Sequence, residues 1–306
     1  MTNKLRIGTR DSQLAVWQAT HVQQLLHARG IASELVYIKS EGDLNTITPL
    51  YEMGVEGIFT KALDIALLSN TIDLAVHSMK DVPVILARGL KQAAVLERAS
   101  HIDILVYKED ASFMDVDQPA TIASCSVRRV AQWLHRFPRH QMVSLRGNVN
   151  TRLKKLEEHH WNGAIFAAAG LERINLRPAN SIDLDWMLPA PAQGAIMIVC
   201  RENDQDAFQC AQPLNHSETA ICTRIEREFL KTLHGGCSTP VSALAVIEHD
   251  ELIFKGNIAS HDGSRIQEIE ERRPLDLIDS VGHDMAVKLL NMEQPWIRKL
   301  LKKNSQ

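Results

Sequence analysis

The sequence predicts an α/β protein of two lobes with mainly parallel sheets, followed by a small C-terminal α+β domain. Three observations predict it. Residues 1–95 alternate short apolar runs with segments of helical periodicity, a second set of the same alternation follows up to residue 191, and from residue 214 the pattern changes to one long helix and then alternating strands. A chain of 306 residues also exceeds what one core organises, so two or three domains are expected.

In order, "KLRIG" reads as a strand and "SQLAVWQATHVQQLLHARG" as a helix, with Ser12 at its N-cap and Gly30 ending it. "ELVYIK" is a second strand, "IFTKALDIALL" a second helix and "IDLAVH" a third strand, which completes βαβαβ and implies parallel pairing. The second lobe passes from "TIAS" into the helix "SVRRVAQWLHRF", then strand "MVSLR", helix "VNTRLKKLEEHH" and strand "AIFAAAG". "IGTRDSQLAVWQ" and "IASCSVRRVAQW" echo each other, each running from an apolar strand end through small and hydroxyl residues into a helix that carries Trp. "LPAPAQG" is a loop by its prolines and glycine, and "AIMIVCR" is one more strand, placed to return to the first lobe. A helix over 217–232, two or three strands about the "EHDE" and "SHDGS" turns and a terminal helix complete the chain. The expected domains are 1–95 with 192–213, then 96–191, then 214–306.

The formal net charge of -3 provides no global attraction to nucleic acid or membrane, so anion binding must come from local clusters of Arg and Lys. "MTNKLRIGTRDSQ" turns polar at once and no apolar run approaches the roughly 18 residues of a membrane span, which places the protein in the cytoplasm. The five cysteines lack CxxC spacing and read as reduced thiols rather than a zinc site or disulfide framework. "EEHH" at 157–160 is a solvated helix end, since adjacent histidines do not face one metal from a helix, and no metal is expected. Without an exposed apolar repeat, a monomer is the expectation.

Chemistry concentrates where parallel strands end, because ligands of open α/β sheets bind outside the carboxyl ends of the strands. "DLAVHSMKDVP" leaves an apolar strand through Ser78 and at once presents Lys80 and Asp81 before Pro83 stops it. Arg10, Arg128, Arg129, Arg146, Arg152 and Arg173 all stand at strand–helix junctions. Two arginines in the first turn of a helix oppose its macrodipole, and a ligand carrying several carboxylates explains them. "HGGCSTP" places Cys237 after two glycines and ahead of a proline, in a stretch too broken for regular structure. There is no Walker sequence, no GxGxxG after the first strand and no HExxH.

"AVHSMKDVP", "SVRRVAQ", "LRGNVNTRLKKL", "AAAGLERI", "PAQGA" and "LHGGCSTP", in this order and at these spacings, resemble the porphobilinogen deaminase (hydroxymethylbilane synthase) family over essentially the whole chain. The resemblance implies two periplasmic-binding-protein-like lobes with a cleft between them and a third domain holding a dipyrromethane cofactor by a thioether. It implies a transferase of tetrapyrrole (heme) biosynthesis that joins four porphobilinogen molecules head to tail, releases ammonia at each step and hydrolyses the product from the cofactor. On the matching positions it implies Cys237 as the attachment point, Asp81 as the catalytic carboxylate, and Ser78, Lys80, Asp81, Ser126, Arg128, Arg129, Arg146 and Gly147 around the cofactor. For the substrate it implies Arg10, Ser12, Lys61, Arg146, Arg152, Arg173 and Gln193.

Two loop positions depart from the family. Glu56 stands in "GVEG" where a lysine is usual, and Glu52 replaces another commonly basic residue, reversing the charge. Two other classes stay open at this level. An arginine-lined cleft also suits a carboxylate-binding solute receptor, although the GGC loop and third domain speak against it. A descendant that kept the fold and lost turnover is hinted at only by Glu52 and Glu56.

Overall fold

The computed structural model describes residues 4–39, 60–115, 118–236, 238–292 and 294–303; the positions of Glu52, Glu56 and Cys237 lie outside them. Strands β1 (Leu5–Thr9), β2 (Ser33–Tyr37) and β3 (Leu74–Ser78) pair in parallel, with α1 (Gln13–His27) and α2 (Lys61–Leu68) between them in the chain. β4 (Leu90–Val95) ends this run. The next strands are β5 (Asp103–Tyr107), β6 (Thr121–Ala123), β7 (Gln141–Val143), β8 (Gly163–Ala167) and β9 (Ser181–Asp183), with helices α3 (Val127–Arg136), α4 (Val149–Glu158) and α5 (Ala168–Glu172) among them. β10 (Ile196–Arg201) follows.

The first sheet has the order β2-β1-β3-β10-β4 and the second β7-β6-β8-β5-β9. In both, the fourth strand alone runs against its neighbours: β10 is antiparallel to β3 and β4, and β5 to β8 and β9. The echoed stretches therefore occupy equivalent places, since β1 leads into α1 and β6 into α3 from the second position of each sheet. Both faces of each sheet are covered. Ile7, Leu74 and Val76 pack towards α1 while Ala75 and Met79 pack towards Leu63 and Leu67 of α2. Burial on both faces is why the central strand β3 reads as an apolar run up to His77 rather than as an alternation.

The chain crosses between sheets twice, after β4 and before β10, and the crossings lie side by side. The Ala99 N–H donates to the Gly194 carbonyl at 3.1 Å. Gly194 has φ +88°, and a Cβ there would stand 2.6 Å from the Ala99 oxygen and 2.7 Å from that of Ser100, so no other residue permits this approach.

Beyond β10 come α6 (Gln205–Ala211) and α7 (Ser217–Thr232), then the antiparallel sheet β11 (Val241–Glu248), β12 (Glu251–Ala259) and β13 (Ile266–Pro274), and finally α8 (Val281–Leu290) and α9 (Pro295–Lys303). Ile225 and Phe229 of α7 join Leu252, Phe254, Val281 and Met285 in one core. Glu226, fully buried on the same helix, accepts two hydrogen bonds from Arg98 in the first crossing (2.6 and 3.0 Å), one from the Ala192 N–H in the second crossing (2.6 Å) and one from the Ala245 N–H of β11 (2.8 Å). One carboxylate thus ties both crossings to the C-terminal sheet.

Two expectations are corrected. "AIFAAAG" is strand only to Ala167, after which the alanines turn helical, as their propensity favours once the sheet edge is passed. The terminal helix is two helices, the second restarted with Pro295 in its first turn. Ser12 stands at the N-cap of α1 but makes no side-chain capping bond there. Among the described residues no helix is long and apolar enough to cross a membrane, and no cluster of three metal-ligating side chains occurs.

Candidate active site

The carboxyl ends of β1 and β3 face the N-termini of α3 and α4 across a cleft of about 1950 Å³. Ordinary small-molecule pockets span roughly 300–1,000 Å³, so this space suits a ligand of several linked rings. From the first sheet it is lined by Arg10, Ser12, Ser78, Lys80 and Asp81, and from the second by Ser126, Arg128, Arg129, Arg146, Gly147 and Arg152. Gln193, from the second crossing, stands between them.

β3 delivers its polar residues through a single 3-10 turn, Met79–Asp81, ended by Val82 and Pro83. Ser78 accepts from the buried Gln18 of α1 at 2.8 Å. Asp81 is exposed to the cleft. The Lys80 ammonium donates to Gln193 Oε1 at 3.4 Å. Desolvation, reinforced by the charge of Arg129, lowers the Lys80 pKa to about 8 despite Asp81 and Asp103.

Arg128 and Arg129 are buried, and the acid that permits it is Asp103, the first residue of β5, fully buried. Asp103 accepts from Arg128 Nη2 (2.7 Å), from Arg129 Nε and Nη2 (3.0 and 2.7 Å) and from Gln193 Nε2 (2.8 Å). Burial pushes its carboxyl up, but the two guanidinium charges and these hydrogen bonds outweigh that and hold it at about 2. The pair's charge is thereby offset without using every donor: Arg128 Nε is buried and has no hydrogen-bond partner among the described residues. Asp103→Asn leaves two cations facing a neutral amide, so a loss of about 3–5 kcal/mol is expected as a lower urea midpoint. Because the folded pKa is depressed, Asp103's contribution is complete above its unfolded value of 3.8 and is lost as pH falls through about 2. An unchanged midpoint would show that Asp103 does not sustain the pair.

The "LRGN" turn arms α4. Gly147 has φ +111°, and a Cβ there would fall 2.7 Å from Thr151 Cγ2. Its carbonyl accepts from Arg152 Nε at 2.8 Å, and Asn148 caps the helix by accepting from the Thr151 N–H at 2.9 Å.

On the third wall, α7 ends with His234 in the left-handed region (φ +50°), its N–H and that of Gly235 returning to the carbonyls of Lys231 and Leu230 at 2.9 Å each. Gly236 donates to Thr239 Oγ1 (3.2 Å) and accepts from the Thr239 N–H (3.0 Å), one residue on each side of the segment that contains position 237. Gly235, Gly236 and Thr239 line the same cleft. The Gly236–Thr239 bonds join the residues on either side of position 237. Of the other cysteines, Cys125 lines the cleft, and Cys125, Cys200, Cys210 and Cys222 are all free thiols.

Two residues expected at the site stand elsewhere. Lys61 is exposed at the start of α2, outside the cleft lining. Arg173 turns away from the cleft: its Nη2 donates to the Gly194 carbonyl at 2.7 Å and its guanidinium lies 5.7 Å from the Trp17 ring centroid on α1. Desolvation there lowers its pKa to about 10. Sequence reading missed Asp103 and Gln18; an acid opening the apolar run "DILVY" was the available signal for the first, and nothing local marked the second.

Known proteins resemble this chain along most of its length. Residues 5–209 match the family model described as "Porphobilinogen deaminase, dipyromethane cofactor binding domain", and residues 220–291 match "Porphobilinogen deaminase, C-terminal domain". The chain belongs to the porphobilinogen deaminase family. The porphobilinogen deaminase of Syntrophotalea carbinolica is 42% identical over 293 residues, covering 94% of this chain and 93% of that protein. That of Pelobacter propionicus is 40% identical over 292 residues, covering 94% of each. Among solved structures, the periplasmic VFT2 domain of Bordetella pertussis BvgS aligns with 69% of this chain and 86% of its own, at 14% identity and a TM-score of 0.43. An arginine-bound amino acid ABC transporter substrate-binding protein from Streptococcus pneumoniae covers 69% of this chain and 86% of its own, at 16% identity and a TM-score of 0.41. Values this low carry no functional weight, and the two-lobed layout rests on the strand orders themselves.

The residues present fit the family's cofactor. A covalent dipyrromethane carries carboxylate side chains and needs cationic donors along a long cleft with a thiol at its edge. The cleft supplies the cations, the buried unpartnered Arg128 Nε, and on one wall the loop residues that flank position 237.

Proposed function

We propose that this cleft carries out the family's reaction, the stepwise condensation of four porphobilinogen molecules with loss of ammonia, followed by hydrolytic release of hydroxymethylbilane. The observation that carries the reading is the exposed carboxylate of Asp81, presented at the end of β3 beside Lys80, in a space that Arg10, Arg128, Arg129, Arg146 and Arg152 line together with the acids Asp11 and Glu228. When bound, the dipyrromethane on Cys237 supplies the pyrrole carbon to which the first unit is joined.

The chain's own residues then divide the work. The cations hold acetate and propionate carboxylates, with Arg128, Arg129, Arg146, Lys80, Ser78, Ser126 and Gly147 serving the cofactor and Arg10, Ser12, Arg146, Arg152 and Gln193 the incoming unit. Asp81 faces the pyrrole N–H groups, offsets the positive charge that develops on nitrogen as ammonia leaves, and accepts or returns a proton. Arg173 and Lys61 take up substrate only after a change of position: Arg173 must release Gly194 first. We assign the domains as 1–95 with 192–213, 96–191 and 214–306, which follows the membership of the three sheets, and read the protein as a cytoplasmic monomer. Release of ammonia and of hydroxymethylbilane from porphobilinogen by the purified protein tests the reading, and no turnover by cofactor-loaded protein would overturn it.

Lys80 gives that reaction a pH limit. With a pKa of about 8 in the ligand-free protein, Lys80 is an ammonium below that value and a neutral amine above it. A neutral amine has no charge to attract a carboxylate, so kcat/KM is expected to fall as pH rises through about 8, because kcat/KM reports the free enzyme's pKa values. Lys80→Arg, whose guanidinium stays charged, should move that limb upward. An identical limb in Lys80→Arg would assign it to another group.

A further inference from the structure

Asp81 has no side-chain hydrogen bond among the described residues, so the backbone of its turn decides where its carboxylate stands. That backbone is short of partners. A single 3-10 turn leaves most of its carbonyls without intrahelical donors, and Pro83 has no N–H with which to extend it. Within the turn the Val82 N–H reaches the Met79 carbonyl at 3.2 Å. Three carbonyls of this segment, one in the turn and two just after it, are gripped from another part of the protein, by Arg227 on α7. Its Nη1 donates to the carbonyls of Val82 (2.9 Å) and Met79 (3.3 Å), and its Nη2 donates to that of Pro83 (2.6 Å).

Arg227 is buried at 8% exposure and pairs with no carboxylate among the described residues. Desolvation lowers its pKa to about 10, which still leaves it charged at neutral pH. Burying a guanidinium against carbonyls alone is a poor choice for stability, since nothing of opposite charge offsets its desolvation. What it provides is geometry: a planar fork holds several acceptors at fixed separations, which a lysine's point charge does not.

We propose that Arg227 is a positioning residue for the condensation, fixing the turn that presents Lys80 and Asp81 to the cleft from the helix that leads into the Cys237 loop. This rests on the reading of Asp81 as the charge-offsetting carboxylate. A misplacement of about 1 Å in a reacting group lowers rates on the order of 100-fold, which sets the scale of the effect.

The test uses the cofactor-loaded enzyme with Arg227→Gln and Arg227→Lys. Arg227→Gln should lower kcat about 10- to 100-fold with little change in KM, and amide exchange over residues 77–84 should quicken while the rest of the protein keeps its protection. Arg227→Lys, able to reach some of the same carbonyls, should recover part of kcat, and it carries the test if the Gln variant does not fold. In an Asp81→Asn background, Arg227→Gln should add no further loss. Fully additive losses, a change in KM alone, or exchange that rises equally everywhere would overturn the proposal. Near-normal turnover of Asp81→Asn by itself would instead overturn the carboxylate reading, and the anchor would then stand or fall on the exchange of 77–84.

Discussion

A Cys237→Ala protein is expected to have the mass of its bare sequence and no turnover, while the unaltered holoprotein weighs more by one dipyrromethane and yields the adduct on the peptide that contains Cys237. The thiol opens the sharpest contrast in the molecule because Cys125 also lines the cleft, two residues ahead of α3. Cys125 sits on the same wall as Arg128 and Arg129, so a chain tethered there would start among the groups that must bind its carboxylates and have no room to recede. Gly236 and Thr239, which flank position 237 in the chain, line the third wall, and a tether that starts from there would span the space. Cys125→Ala should therefore retain the mass increment. Intact-protein and peptide mass spectrometry decide it, and an adduct that survives Cys237→Ala would overturn the assignment.

Asp81→Asn is the second large effect. The substitution keeps size and shape and removes only the negative charge, so folding and the cofactor adduct should persist. A carboxylate aimed at charge that develops in the transition state is worth about 10²–10³ in kcat when removed, and a loss of that order is expected in single-turnover ammonia release. Because the Asp81 side chain has no hydrogen bond among the described residues, an amide there has no neighbour to clash with or to rescue it. Turnover within a few-fold of the parent would remove Asp81 from the chemistry.

Much of this architecture is legible in the sequence, and the parts that are not share a cause. The βα units and the helix over 217–232 follow from periodicity, and "AIMIVCR", read as a strand returning to the first lobe, stands in the first sheet. β4 and β5 went unread, one because Lys91 and Gln92 interrupt its apolar pattern, the other because it opens on an acid. At the site, the residues on strand ends and helix N-termini were found because their exposure to a ligand breaks the local pattern. Asp103, Arg227 and the Arg98–Glu226 pair were not, since each makes sense only beside a partner 25, 148 or 128 residues away. Arg173 differs from these: its place after "AAAG" is that of a ligand-binding residue, and in the structure its Nη2 donates to the Gly194 carbonyl.

The interleaved order of the first sheet has a consequence for how the chain assembles as it is made. The second sheet draws all its strands from residues 103–183 and can close as soon as they have emerged. The first cannot, because β10, residues Ile196–Arg201, belongs between β3 and β4, both synthesised about a hundred residues earlier. The lobe that begins the chain is thus the later of the two to finish, and until β10 arrives it waits with a gap inside its sheet rather than at the rim. A chain broken off before residue 196 retains one complete sheet and one whose two inner edges are open templates for pairing with other chains.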